Sequence, residues 1–424
     1  MLTTAAANNA LVVELQNVRP HPNADRLKLA TVVGDQVVVG LDAKDGDVMI
    51  YFDSNLRLSA EYLHHNNLNS NPELNADTSA KGYFGKNGRV RAQRFRGEMS
   101  NGFVASLDTL IQCGAVQHYD ELELQPGDEF THVNGVPICE KYVVPHRTPG
   151  APGSRKKRVR EPVSEMFWKH WDTKHLLRES HRIPAGLVYI EEKIHGTSAR
   201  TGNVLFKAQR PWWKFWAPKV VEEWRVVSGT RRVDHIGAHI SGVRKEIEEQ
   251  LAPHVRKGEQ LYYEIFGKAK GGAEIQSGFS YGCKGEEYRV ILYRVTITTT
   301  DGHCVDLSRE AVYRRADELG LERPPLLGVA MFHPAQSEGL EAVLEGFLGG
   351  PCWVYDHTCM TLQGLKEATK GKSILDASTI LEGVVVWFED AYGNWSCLKL
   401  KSDDFLCFED KQKEKDIGDV EDAL

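Results

Sequence analysis

YIEEKIHGT, residues 189–197, sets one lysine between two glutamates and a His-Gly-Thr turn. The residues leading into it, GLVYI (186–190), are almost all apolar, as in a strand covered on both faces. Lys193 therefore stands at a strand end, where two roles are open to it. It can be the salt-bridge partner of a nearby acid. It can also lie partly desolvated beside other cations, which frees its amine to act as a nucleophile. The phrase K-x-x-G does not decide between them, because it recurs by chance.

Working outward, further charged strand segments follow in order. After SGTRR (228–232) come LYYEIFG (261–267), with Glu264 flanked by apolar residues, and YRVILYRV (288–295). Then EGVVVWF (382–388), a turn around EDAYGN and WSCLKLKS (395–402) read as a β-hairpin. Period-two alternation puts Lys399 and Lys401 on one face and Leu398 and Leu400 on the other. Each element alone has a structural explanation, since strands often carry one acid or a lysine pair. Five in series, each with charge at a strand end or face, are hard to explain as decoration.

Amphipathic helices are expected at VRKEIEEQLAPHV (243–255) and REAVYRRADELGL (309–321), between strands that do not alternate regularly with them. Residues 163–408 thus read as an α+β domain of largely antiparallel sheets flanked by helices. Residues 1–143 read as β-rich: LVVELQNVRP, LKLATVVG, DQVVVG and DVMIYFD are short strands broken by HPNAD, VGD and AKDGD. Such spacing suggests a small barrel or sandwich. HHNNLNSNPELNADTSAKG (64–82) reads as a long loop. In GRVRAQRFRGEMSNGFVAS (88–106), Arg89 and Arg91 share one strand face, as do Arg94 and Arg96. They form either a solvated face or a phosphate contact. Residues 144–162, rich in Pro and Gly and carrying Arg155, Lys156, Lys157, Arg158 and Arg160, read as a linker, with tether, phosphate contact and nuclear address all open. RPWWKFWAPK (210–219) is either a base-stacking platform or a hairpin whose rings pack on the domain. Residues 409–424 read as a charged, frayed tail.

The ordered segments resemble the motifs of the covalent nucleotidyltransferase superfamily of polynucleotide ligases and capping enzymes, over about residues 165–401. KIHG resembles the nucleophile motif, YYEIFG the third, RVILYRV its companion, EGVVV the fourth and LKLK the fifth. The form E-K-x-H-G-T is closer to RNA ligases, since DNA ligases and capping enzymes usually have Asp where His195 stands. Those enzymes also carry an OB barrel after the fifth motif, and only 23 residues follow Lys401 here. Instead, RPHPNADRLKLATVVG (19–34), VMIYFD and RFRGEMSNGFV resemble the N-terminal OB domain of the Deinococcus and Naegleria type of ATP-dependent RNA ligase. The implied fold is an OB-like β-barrel followed by an ATP-grasp-like nucleotidyltransferase domain.

The resemblance implies that Lys193 attacks the α-phosphorus of ATP, that AMP passes to an RNA 5′-phosphate, and that a 3′-OH then displaces it. By motif position, Glu264 contacts the ribose, Glu382 a divalent metal (Mg²⁺ or Mn²⁺), and Lys399 and Lys401 the α-phosphate. His195 orients the pyrophosphate, the Glu192 carbonyl reads the adenine amino group, and Gly196 forms the turn. Arg231 or Arg232 meets the ribose or the 3′-OH strand. Two positions depart from the pattern. Arg294 stands where the superfamily usually has Asp, so the adenine-stacking residue is not assigned, with Val290 and Leu292 placed on the face of Arg294. Ser198 stands where related ligases have Asn. The substrate implied is RNA, as a nicked duplex or an RNA/DNA hybrid, and the protein a monomer. The alternatives are a DNA ligase or capping-type nucleotidyltransferase, and a non-catalytic RNA-binding protein.

Composition agrees with a soluble protein of two or three domains: 424 residues, 41% hydrophobic, 26% charged. The net charge of −7 gives no global attraction to nucleic acid or membrane, so polyanion contacts must be local. No run of about 18 apolar residues occurs and the start lacks a signal-peptide pattern. The eight cysteines are scattered without C-x-x-C, which points to the reducing cytoplasm and away from a zinc site.

Overall fold

The computed structural model describes residues 1–5, 8–118, 123–143, 164–209, 220–231, 234–235, 242–333, 352–355 and 358–414. The basic stretch 144–162, the tryptophan-rich 210–219, Arg232 and the last ten residues of the tail lie outside them. The chain forms two compact units, one from Met1–Pro145 and Asp403–Ile417 and the other from His146–Ser402.

The first unit is β-rich, as its short alternating runs require. Ala10–Glu14, Val48–Phe52 and Phe103–Ser106 pair antiparallel over a core of Val12, Ile50, Phe52, Leu56, Tyr62 and Phe130. Gln16–Pro20, Lys28–Val32 and Asp35–Val39 form a second meander. Among the described residues these strands stay in separate sheets of two to four, and no sheet closes into the expected barrel. The strands are two to five residues long and one register slips between Gln16 and Arg19, too little continuous pairing to close a ladder on itself.

Asp403–Glu414 is a helix of this same unit, so residues 403–408 do not end the larger domain and the tail from 409 does not begin frayed. Acids in its first turn and Lys411 and Lys413 in its last suit the helix dipole. The helix engages three of the four arginines read as a solvated face or a phosphate contact. Arg89 is buried in an ion pair with Asp410, Arg91 meets Glu414 at 2.5 Å, and Arg94 meets Asp404 at 2.9 Å. Arg96 lies beyond the strand, exposed, at φ 46°. Arg89, Arg91 and Arg94 thus have acidic partners within the fold, and Arg89 is withdrawn from solvent. Burial pushes the Asp410 carboxyl up to about 6 against the pull of Arg89. Asp410→Ala would strand the Arg89 charge, and we expect it to lower the unfolding free energy of this unit by about 3 kcal/mol. Exposed Arg94→Ala should change it by less than about 0.5 kcal/mol. Urea unfolding of the two variants checks the contrast.

The second unit holds two sheets. Seven strands run in the order Lys174–His175, Trp395–Lys401, Gly383–Glu389, Gly186–Lys193, Leu326–His333, Cys352–Tyr355, Thr358–Thr361. Six run Asp234–His235, Val220–Thr230, Thr197–Gln209, Glu259–Gly267, Tyr288–Thr298, Cys304–Asp306. All neighbours are antiparallel except the short first pair. Helices Val243–Leu251 and Arg309–Leu319 cover one face of the six-stranded sheet, packing Ile247, Leu251, Val312 and Ala316 on Leu261, Tyr263 and Leu292. Ser308 caps the second helix through Ala311 N, and left-handed Gly320 ends it. The alternation of LKLK holds: Leu398 and Leu400 enter the core while Lys399 and Lys401 face away. Within this unit, Ile194, His195 and Gly196 carry the chain from one sheet to the other. The His-Gly-Thr turn after Lys193 is the crossing point.

Candidate functional site

Gly196 exists for that crossing. A Cβ there would lie 2.5 Å from the Ile265 carbonyl oxygen and 2.8 Å from Glu264 Cγ. The turn is held from three sides: His195 N donates to Tyr281 Oη (2.8 Å), Gly196 N to Glu264 Oε1 (3.1 Å), and Gln276 Nε2 to the Gly196 carbonyl (2.7 Å). Ser198, opposite Glu264 in register, donates to its Oε2 at 2.7 Å. We expect Gly196→Ala to force backbone against backbone and destabilise the unit by roughly 1–3 kcal/mol, read as a lowered Tm.

Around the crossing lies a cleft with a cavity volume of about 110 Å³, lined from both sheets. Glu192, Lys193, Val385, Trp387 and Lys399 come from one, Ser198, Glu264, Ile291 and Tyr293 from the other, and Arg231 adds a cation. Lys193 Nζ lies 2.7 Å from Glu382 Oε1. Glu382 is buried and its Oε2 has no hydrogen-bond partner, with His195 Nδ1 3.9 Å away. That carboxylate sits beside Gly383, where a Cβ would meet the Leu400 carbonyl oxygen at 2.1 Å, so only glycine lets the hairpin close there. Among the described residues no three His, Cys, Asp or Glu side chains gather as a metal-ligand group.

Lys399 has its ammonium pushed down to about 8, first by burial and then by Lys401, Lys193 and Arg231, with Glu382 opposing. Lys401 pairs with Gly383 in register and is not among the residues lining the cleft. Arg231 reaches the cleft and donates to Asp172 at 2.6 Å. Glu192 is buried, and its Oε2 accepts from Ile374 N at 2.9 Å while its own N–H donates to Pro325.

The faces of Tyr288–Thr298 depart from the simple alternation expected of them. A bulge skips Tyr293, so Leu292 opposes Tyr263 and Arg294 opposes Tyr262. Period two fails there. Val290, Leu292 and Val295 face the helices, while Ile291 and Tyr293 face the cleft. Arg294 leaves the Val290–Leu292 face altogether. It pairs with Asp306 and lies 3.5 Å over the Trp171 ring and 4.5 Å over Tyr262. His170 accepts from Arg294 at 3.3 Å and stands edge-on to Tyr293. Because a guanidinium only donates, the His170 Nδ1 carries no proton. Burial and the cations Arg294, Arg231, Lys399 and Lys193 hold this histidine well below its usual range. His170, Tyr293 and Trp387 were missed in the sequence, and the only signal was aromatic content next to the charged motifs.

No protein-family model matches the chain, and no curated protein matches its sequence. Solved structures do match. A Naegleria gruberi RNA ligase mutant with ATP and Mn is 16% identical, TM-score 0.55, over 98% of this chain and 100% of that one. An apo mutant of the same ligase is 16% identical, TM-score 0.58, over 97% and 100%. The ligase with PPi is 16% identical, TM-score 0.55, over 95% and 98%. The chain has an RNA ligase fold. The likeness spans both units, and at this identity it concerns fold alone. Among the described residues no helix is long and apolar enough to cross a membrane.

Proposed function

We propose that this chain is an ATP-dependent RNA ligase that joins 3′-OH and 5′-phosphate ends, with a nicked RNA duplex or an RNA/DNA hybrid as substrate. The observation that carries the reading is Lys193 on buried Glu382 at the crossing of two sheets, with Lys399 and Arg231 as cations on the same cleft. The fold likeness supports it, since the similar ligase is described with ATP or AMP and Mn. The OB-type reading of the first unit, as the part that holds nucleic acid, belongs to the same proposal, as do a monomeric state and a cytoplasmic site of action.

Glu382 stabilises the Lys193 ammonium in the free protein. Its orphaned Oε2 fits a divalent cation, which Glu382 would hold. Such an ion, Mg²⁺ or Mn²⁺, neutralises phosphate charge when bound. With such an ion bound, Glu382 would divide its charge between it and Lys193, which would favour release of the Lys193 proton to solvent. The free amine attacks the α-phosphorus, forming the lysine–phosphorus bond as pyrophosphate leaves. Lys399, with Lys401 behind it, takes the charge on the α-phosphate oxygens, and His195 orients the leaving pyrophosphate. Tyr293 and Ile291 hold the adenine, and the Glu192 carbonyl reads its amino group. Glu264 exchanges its bond from Ser198 for one from the ribose, and Arg231 meets the ribose or the 3′-OH strand. AMP then passes to the 5′-phosphate, and the 3′-OH displaces it.

Incubation with ATP or GTP labelled at the α-phosphate, followed by nicked duplexes with RNA or DNA on each side, tests this. The expected result is a label from ATP and sealing of RNA nicks. Labelling without sealing on any duplex would reject the ligase reading.

A further inference from the structure

Glu191, beside the reactive lysine segment, reads in sequence as a solvated acid, and the structure removes it from solvent almost completely. Arg309, the first residue of the helix Arg309–Leu319, is equally enclosed and donates to Glu191 Oε1 through Nε at 3.0 Å and through Nη2. Tyr313 Oη donates to the same oxygen at 2.5 Å, and the Trp387 side chain also hydrogen-bonds this carboxylate. Arg309 Nη1 donates to the Tyr293 carbonyl at 2.7 Å, and the guanidinium lies 4.3 Å over the Trp387 ring.

One planar cation therefore touches three wall segments of the cleft. Glu191 precedes Glu192 and Lys193 on one strand. Trp387 stands on the neighbouring strand of the same sheet. Tyr293 belongs to the other sheet and is the bulged residue, outside the ladder register, so its carbonyl has a partner in Arg309. A buried ion pair is rarely worth more to stability than well-packed apolar residues of similar size. The directed contacts suit a different task, fixing two sheets at one spacing.

We propose that Glu191 and Arg309 are positioning residues that set the width of the nucleotide cleft by tying the Lys193 strand and Trp387 to the Tyr293 bulge. This rests on the nucleotide reading of the cleft. Neither residue touches the reacting atoms in it.

The test separates position from stability. In Arg309→Met, Glu191 is left as an uncompensated buried charge, and the protein should lose stability markedly. In the double variant Glu191→Leu/Arg309→Met the charge is gone, and the Tm should return to near the wild-type value. If the pair positions the walls, the double variant still shows KM for ATP in self-labelling raised tenfold or more, with a smaller change in kcat. Arg309→Lys is the second variant. It keeps a charge opposite Glu191, but one ammonium cannot also span to the Tyr293 carbonyl and cover Trp387. Its Tm should stay close to wild type while KM rises at least threefold. A folded double variant, or a folded Arg309→Lys, with KM within twofold of wild type overturns the proposal. Failure of the wild-type chain to take label from ATP would instead reject the ligase reading, which keeps the two failures apart.

Discussion

Lys193→Arg should fold like the wild-type chain and take no label from ATP. The guanidinium keeps the positive charge and can still meet Glu382, which lies 2.7 Å from the lysine nitrogen. It cannot lose a proton in the accessible pH range, so it cannot attack phosphorus. The substitution thus removes the nucleophile while sparing the salt bridge, and these are the two roles open to the residue from sequence. We expect self-labelling to fall by on the order of a thousandfold or more, as for loss of a covalent nucleophile elsewhere. Lys193→Ala should lose labelling equally and should also leave buried Glu382 without its cation, so its Tm should drop where that of Lys193→Arg does not. An RNA strand supplied already adenylated at its 5′ end bypasses the first step, and both variants should still seal it at a measurable rate. Full labelling of Lys193→Arg would return the residue to an ordinary ion pair.

How much of this was legible follows from what each signal depends on. Strand-end charges and the LKLK alternation survive into the structure because both are local: side-chain direction in a strand is fixed by neighbours one and two positions away. The bulge at Tyr293 is not local. It depends on the register with Glu259–Gly267, and one skipped residue moves Tyr293 and Arg294 off the faces that simple counting assigns. The pairing of the arginines at 89, 91 and 94 was illegible for a similar reason. Their partners, Asp410, Glu414 and Asp404, lie some three hundred residues away in sequence, and nothing in a basic strand announces an acidic helix that far downstream. Glu191 is the same case, since its partner Arg309 opens a helix whose apolar stripe gave no sign of an ion pair at its first residue. Local patterning located the chemistry. Long-range pairing decided which charges are free to perform it.

Lys399→Met should make the protein more stable and a poorer binder of nucleotide, and pH should separate the two effects. Burial and three neighbouring cations lower the Lys399 ammonium from its ordinary value near 10.5 to about 8. The folded state therefore disfavours the charged form. Below pH 8 the lysine is protonated whether the chain is folded or not, and its full cost to folding is present. Between about 8 and 10.5 the unfolded chain holds a proton that the folded chain has released, so this group makes stability rise with pH. Above that window both states are neutral and the cost vanishes. The gap corresponds to roughly 2–3 kcal/mol after allowing for partial exposure of the side chain. The gain from Lys399→Met should thus be largest at pH 7 and shrink towards pH 10, as urea titrations can follow. Binding responds in the opposite sense, because a phosphate oxygen stabilises the ammonium and draws a proton onto Lys399. With α,β-methylene ATP, which the intact protein binds without adenylation, affinity should hold steady below pH 8. Above it, affinity should weaken by up to about tenfold per pH unit. In Lys399→Met the affinity should be lower throughout and flat across the same range. A wild-type profile without a break near 8 would show that the lysine does not meet the phosphate. The cost to the free fold is then the expected signature of a group held ready for a ligand charge that arrives later.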